Sequence, residues 1–103
     1  MRREPTALEY INDSVSEAPQ WDSAICRRLA RRLGYRLIRP VDDSALSLVD
    51  YVREVDVDAV IVPNIGHVDA LTLDRLMHTV DVEAAAPRET FARYLGGRHG
   101  CPA

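Results

Sequence analysis

Asp58-Ala-Val-Ile-Val-Pro-Asn-Ile-Gly-His67 decides the fold: a β-branched apolar run stops abruptly at a Pro-Asn-Ile-Gly-His turn. Strands that read as continuous Val and Ile are buried on both faces, as in parallel sheets covered by helices. In open α/β sheets the loops after such strands are where chemistry is placed. This loop offers Asn64 and His67, but no acid, arginine or cysteine.

Upstream, Leu8-Glu-Tyr-Ile-Asn12 reads as a strand, and the polar stretch 13–19 as the loop that leaves it. Asp22 is the expected N-cap of a first helix in which Ile25, Leu29 and Leu33 recur every fourth residue beside Cys26 and Ala30. Gly34 stops that helix at C′. Trp21 is expected to staple the helix to its entry loop. Tyr35-Arg-Leu-Ile38 is a second strand. Ser44 or Asp43 can cap a second helix with Leu46, Val49 and Val52 as its buried stripe, Leu48 flanking, and Asp50, Arg53 and Glu54 facing out. Residues 57–62 are the third strand, 71–78 a third helix with Leu73, Leu76 and Met77 toward the core, and 80–85 a fourth strand. Pro87 can open a last helix over 88–95 that docks through Phe91, Tyr94 and Leu95.

Strands alternating with helices at this spacing predict βαβ units and a parallel sheet. The expected fold class is α/β, a three-layer sandwich around a mostly parallel four-stranded sheet. It forms one domain over residues 1–95, followed by a flexible tail over 96–103. The segment 80–86 is the candidate sheet edge, through which a second copy could pair as a homodimer.

With 103 residues, 47% of them hydrophobic, the chain can build one core and no second one. Its net charge of −3 argues against bulk attraction to nucleic acid. All 13 basic residues are arginine, a bias that reflects composition of the source more than mechanism. The two cysteines, Cys26 and Cys101, are too sparse for a disulfide scaffold, and no run approaches transmembrane length. A cytoplasmic protein without membrane contact is expected.

Tyr10-Ile-Asn-Asp-Ser14, the helix ending Leu33-Gly34-Tyr35, the segment Leu48-Val-Asp-Tyr-Val-Arg-Glu54 and the strand Ala59-Val-Ile-Val62 together resemble the catalytic domain of serine recombinases of the resolvase/invertase family. The family opens on a strand of the form Tyr-Ile-Arg-Val-Ser and later runs a strand into Leu-Asp-Arg-Leu-Gly-Arg. The resemblance spans about residues 8 to 95 and implies a flavodoxin-like winding of the sheet. It puts Ser14 where the family's nucleophile stands. Asn12 then replaces an arginine, Gly66 an aspartate, and His67 and Ala70 two further arginines. The family's reaction attacks a DNA phosphodiester, and loss of a single donor at a developing anion costs on the order of 10²–10³ in rate. The resemblance therefore implies a resolvase-like pseudoenzyme that does not recombine DNA.

Several residues remain candidates for function. Ser14 and His67 are the candidate catalytic pair if the chain is an enzyme, although a plain turn serine and a loop histidine bonded to backbone fit the same positions. Asn64 and His67 are candidate binding residues at the strand end. Arg27, Arg28, Arg31 and Arg32 gather four cations on a helix face placed opposite Ile25, Leu29 and Leu33, suited to phosphates or an acidic partner, or simply solvated. Asp42-Asp43 and Asp56/Asp58 read as caps and turns more than as a metal pair, and His99 with Cys101 is too few ligands for a site. No cofactor is implied, since neither Gly34 nor Gly96-Gly97 follows a strand and opens a helix. The leading expectation is a non-catalytic interaction or regulatory module, with a protein partner or self-association, and with DNA machinery as one setting. The alternative is a small enzyme or ligand-binding domain built on Ser14, Asn64 and His67.

Overall fold

The computed structural model describes residues 4–40 and 47–94. Five strands, three α-helices and one 3-10 turn follow in the order β1 (Thr6–Glu9), α1 (Pro19–Leu33), β2 (Arg36–Ile38), α2 (Leu48–Val55), β3 (Ala59–Val62), the turn Ile65–His67, α3 (Ala70–Leu76), β4 (Asp81–Ala85) and β5 (Arg88–Phe91). The sheet order is β2-β1-β3-β4-β5. The first four strands are parallel, and β5 returns antiparallel to β4.

Register explains why both faces are apolar. Leu8 lies between Ile38 and Val60, and Val60 lies beside Val82, so one row of side chains runs across the sheet. That row meets Val52 of α2 and Leu76 of α3, joined by Val62 and Ala84. On the other face Ala7, Ala59 and Ile61 pack beneath Cys26, Leu29 and Ala30 of α1. All four residues of β3 are fully buried, as expected for a strand with helices over both faces. Alanines at the second face let α1 approach the sheet closely.

Two carboxylates flank Ile61 on the α1 face, because Glu9 and Glu83 are its partners in register. Glu83 accepts a hydrogen bond from the Thr90 hydroxyl (2.6 Å) and an ion pair from Arg88 (2.9 Å). Glu9 has the Arg39 guanidinium at 3.5 Å, with its Oε1 lacking a hydrogen bond among the described residues.

The helix ends follow local chemistry. Pro19 starts α1 with its fixed φ and missing donor, and Gly34 ends it at φ 84°, a left-handed position that suits glycine. Ser47 caps α2 by accepting from the Asp50 amide at 3.2 Å, and Asp69 caps α3 by accepting from the Thr72 amide at 2.8 Å. Asp56 closes α2 in the left-handed region, and Asp58 accepts the Thr6 amide at the start of β1. The second acidic pair is thus structural.

Several expectations are corrected. The sheet has five strands, not four, because residues 88–91 form β5 instead of opening a helix. The chain turns at Ala86-Pro87, a cis peptide, and pairs Ala85 with Arg88 through Val82 with Phe91. Helical spacing of Phe91 and Tyr94 is outweighed by the pairing, which supplies the Arg88 and Thr90 partners that the buried Glu83 needs. Tyr94 then runs beside α3, its amide on the Met77 carbonyl and its hydroxyl on Asp74. β4 is consequently interior, and the edges are β2 and β5, so 80–86 is not a sheet edge. The first strand lies at Thr6–Glu9, which moves Tyr10 and Asn12 into the loop after it. Helix α1 begins three residues before Asp22, which sits inside the first turn instead of capping it. Trp21 lies inside the first turn of α1 and is 63% exposed instead of packing at the helix entry as a staple, and Leu33 is exposed while Cys26, Leu29 and Ala30 form the buried stripe. Helix α2 takes Ser47 as its cap; Asp42, Asp43, Ser44 and Leu46 lie outside the described residues, as do Leu95 and the segment 96–103.

Candidate functional site

β1 and β3 are neighbours, but the chain leaves β1 toward β2 on one side and β3 toward β4 on the other. Such a reversal opens a crevice at the carboxyl ends of the two strands. The loop after β1 leads into α1 on one face, and the loop after β3 leads into α3 on the other. His67 stands where the loops meet.

Asn64 sets the second loop. Its side-chain oxygen accepts the Gly66 amide at 2.9 Å, which starts the 3-10 turn and carries His67 inward. A Cβ on residue 66 would lie 2.9 Å from that oxygen, so the position the resemblance aligns with an aspartate is held open for the Asn64 cap. His67 is only 2% exposed. Its Nδ1 accepts the backbone amide of Asn12 at 2.9 Å, and the Asn12 side-chain amide donates back to the His67 carbonyl at 3.4 Å. Asn12 also organises its own turn, its side-chain oxygen taking the Ser14 amide and its carbonyl the amides of Val15 and Ser16.

With Nδ1 accepting, the neutral ring carries its proton on Nε2. That nitrogen faces Asp22 Oδ2 at 3.9 Å, and the same carboxylate oxygen accepts the Ser16 hydroxyl at 2.6 Å. Burial pulls the His67 pKa below its ordinary value, against the opposing pull of Asp22. In a serine nucleophile the imidazole stands between carboxylate and hydroxyl, ready to take the proton. Here the carboxylate stands between hydroxyl and imidazole. The arrangement holds two loops together and has no imidazole lone pair directed at a serine.

Two cavities flank His67. The larger, about 360 Å³, opens toward α2 and α3 and presents Tyr10, Asn12, Ser47, Asp69, Thr72 and Arg75. The smaller, about 300 Å³, opens toward α1 and is bordered by Ser16, Glu17, Asp22 and Asn64. Two helix caps thus line the larger cavity, and hydrogen bonds from the Thr72 residue hold the Asp69 carboxyl below the usual range.

The expected site residues separate. Asn64 and His67 share the smaller cavity, but Ser14 is exposed on its turn and lines neither, its place being taken by Ser16. Ala70 is the exposed first residue of α3. Arg27, Arg28, Arg31 and Arg32 are all exposed on α1, turned away from the buried Cys26, Leu29 and Ala30, and none of them lines the larger cavity of the crevice. Arg27 turns to the Ser23 hydroxyl at 3.1 Å, which Arg39 also reaches, while Arg28 and Arg32 flank Ile25 and Leu29. Cys26 is buried on the inner face of α1, where burial and then Glu9 and Asp22 push its thiol up to about 12, so it stays protonated at neutral pH. Among the described residues no group of three or more His, Cys, Asp or Glu side chains is placed to hold a metal, and His99 and Cys101 lie outside them.

Sequence reasoning missed Tyr10, Ser47, Thr72 and Arg75. A signal existed for two of them: Ser47-Leu-Val-Asp50 and Asp69-Ala-Leu-Thr72 mark helix starts, and helix starts after strands gather at the carboxyl edge of the sheet. No family model, curated protein or solved structure matches the chain. No helix among the described residues is long and apolar enough to cross a membrane.

Proposed function

We propose that the chain is a resolvase-like α/β domain that binds instead of catalysing, a regulatory or interaction module whose larger cavity at the β1–β3 crevice receives a small polar ligand. The observation that carries this is the engagement of His67, with Nδ1 on the Asn12 amide and Nε2 toward Asp22. The residue best placed for proton transfer is committed to holding the crevice together. What the cavity offers is recognition: hydroxyls from Tyr10, Ser47 and Thr72, the Asn12 amide, one guanidinium on Arg75 and one carboxylate on Asp69. At about 360 Å³ it falls within the range of small-molecule sites, roughly 300–1,000 Å³. The resolvase-like part of the proposal is supported by the strand order, by helices over both faces, and by the meeting of Asn12, Gly66 and His67 at one crevice.

The lining favours a ligand with one carboxylate and neighbouring amine, hydroxyl or amide groups. A thermal-shift titration with a panel of amino and hydroxy acids tests this. A bound member at about 100 times its Kd stabilises by about 2.7 kcal/mol and raises Tm. The shift is expected to vanish in Arg75→Ala and shrink in Thr72→Val, while the unliganded variants keep a Tm near that of the parent. A panel without any shift, or a shift that survives Arg75→Ala, contradicts the proposal. So does turnover of a substrate that depends on His67 or Ser14.

A further inference from the structure

A second recess lies away from the crevice, where α1 passes the β4–β5 turn. Ile25, Arg28, Leu29 and Arg32 follow one another at helical spacing along one wall, and Ala85, Ala86 and Arg88 form the other. The floor is aliphatic and the rim carries three guanidinium groups. Arg88 is internally satisfied, its Nη1 donating to the carbonyls of Ala84 and Glu89 and its Nη2 paired with Glu83. Arg28 and Arg32 are exposed and have no hydrogen bond or ion pair among the described residues.

We infer that this groove docks an acidic peptide segment of a partner protein, with carboxylates on Arg28 and Arg32 and one aliphatic side chain seated on Leu29, Ile25 and the two alanines. Charge complementarity selects an anion, since two exposed, unpaired cations stand one helical turn apart on the rim of the groove. The volume, about 210 Å³, is below the range of small-molecule pockets and suits a single anchoring side chain. A nucleic acid fits less well. The groove has no aromatic ring on which a base could stack, and Glu83 and Glu89 adjoin Arg88 where a phosphate chain would continue. Arg27, which would extend a cationic track, is turned to Ser23.

Fluorescence anisotropy with a labelled peptide of glutamates around one central leucine tests the inference. Saturable binding is expected, weakening as salt is raised. The exposed double variant Arg28→Ala/Arg32→Ala, its fold checked by circular dichroism, should bind at least ~10-fold more weakly, in line with the loss of charge-assisted hydrogen bonds. Arg27→Ala should bind as the parent does, and replacing the peptide's leucine by glycine should weaken binding several-fold. Absence of saturable binding, undiminished binding by the double variant, or indifference to the leucine overturns the inference. An oligothymidine that binds more tightly than the peptide, and is lost in the same variant, also overturns it by making the groove a nucleic-acid surface.

Discussion

The His67 ring is buried with Nδ1 accepting the Asn12 amide and Nε2 facing Asp22 at 3.9 Å, and this gives the folded protein a definite response to acid. Nδ1 can accept the Asn12 amide only while the ring is neutral, and burial lowers the folded-state pKa below the ordinary value near 6.5. A histidine with a depressed folded pKa binds fewer protons when folded than when unfolded. Its contribution is therefore complete above about pH 6.5 and is lost as pH falls from there through the lowered folded value. Chemical denaturation between about pH 7 and 5 should show a steeper loss of stability in the parent than in His67→Gln, whose neutral side chain can still accept the Asn12 amide. Equal slopes would remove the role assigned to His67. The sequence pointed to this residue but not to its use, because its partner is 55 residues away in the chain and is a backbone amide, which no side-chain pattern encodes. Ser14 was singled out for its position after a strand, yet the hydroxyl that reaches the acid is that of Ser16.

Elements were legible where one local signal decided them. The Val-Ile run gave β3, Gly34 the end of α1, and the apolar spacing of Leu73, Leu76 and Met77 gave α3. Segment 88–95 was not legible in this way, since Phe91, Tyr94 and Leu95 have helical spacing while β5 is fixed by long-range needs of β4 and Glu83. Likewise α1 starts at Pro19, not Asp22, because Pro19 brings a helical φ and needs no acceptor at the first helical position. The cap of α2 gives a test at this scale. Ser47→Ala removes the acceptor for the Asp50 amide and should cost about 1 kcal/mol, a Tm drop of roughly 4 °C or more for a domain of this size. An unchanged Tm would mean that α2 does not depend on that cap.

For the whole molecule, the crevice is the seam between two halves of the sheet. Strands β1 and β2 lie on one side of it and β3, β4 and β5 on the other, and α1 crosses the seam on one face, touching β1 through β4. The strands pair across the seam, and beyond their ends Asn12 and His67 join the loops. Alternation of strands and helices made the two-sided α/β layout readable from the sequence, whereas the number of strands and the identity of the edges depended on the β4–β5 hairpin. If copies associate by extending the sheet, they must use β2 or β5, and the exposed Arg88 and Glu89 on β5 oppose casual edge pairing. The claim on which the rest depends is that His67 fastens this seam and is not available as a base. The long-range ¹H–¹⁵N spectrum of the His67 ring tests it most directly. The expected result is a single Nε2–H tautomer at neutral pH that persists as the solution is taken below about pH 6.5. An Nδ1–H tautomer, or a ring that titrates at or above its ordinary value, would contradict it.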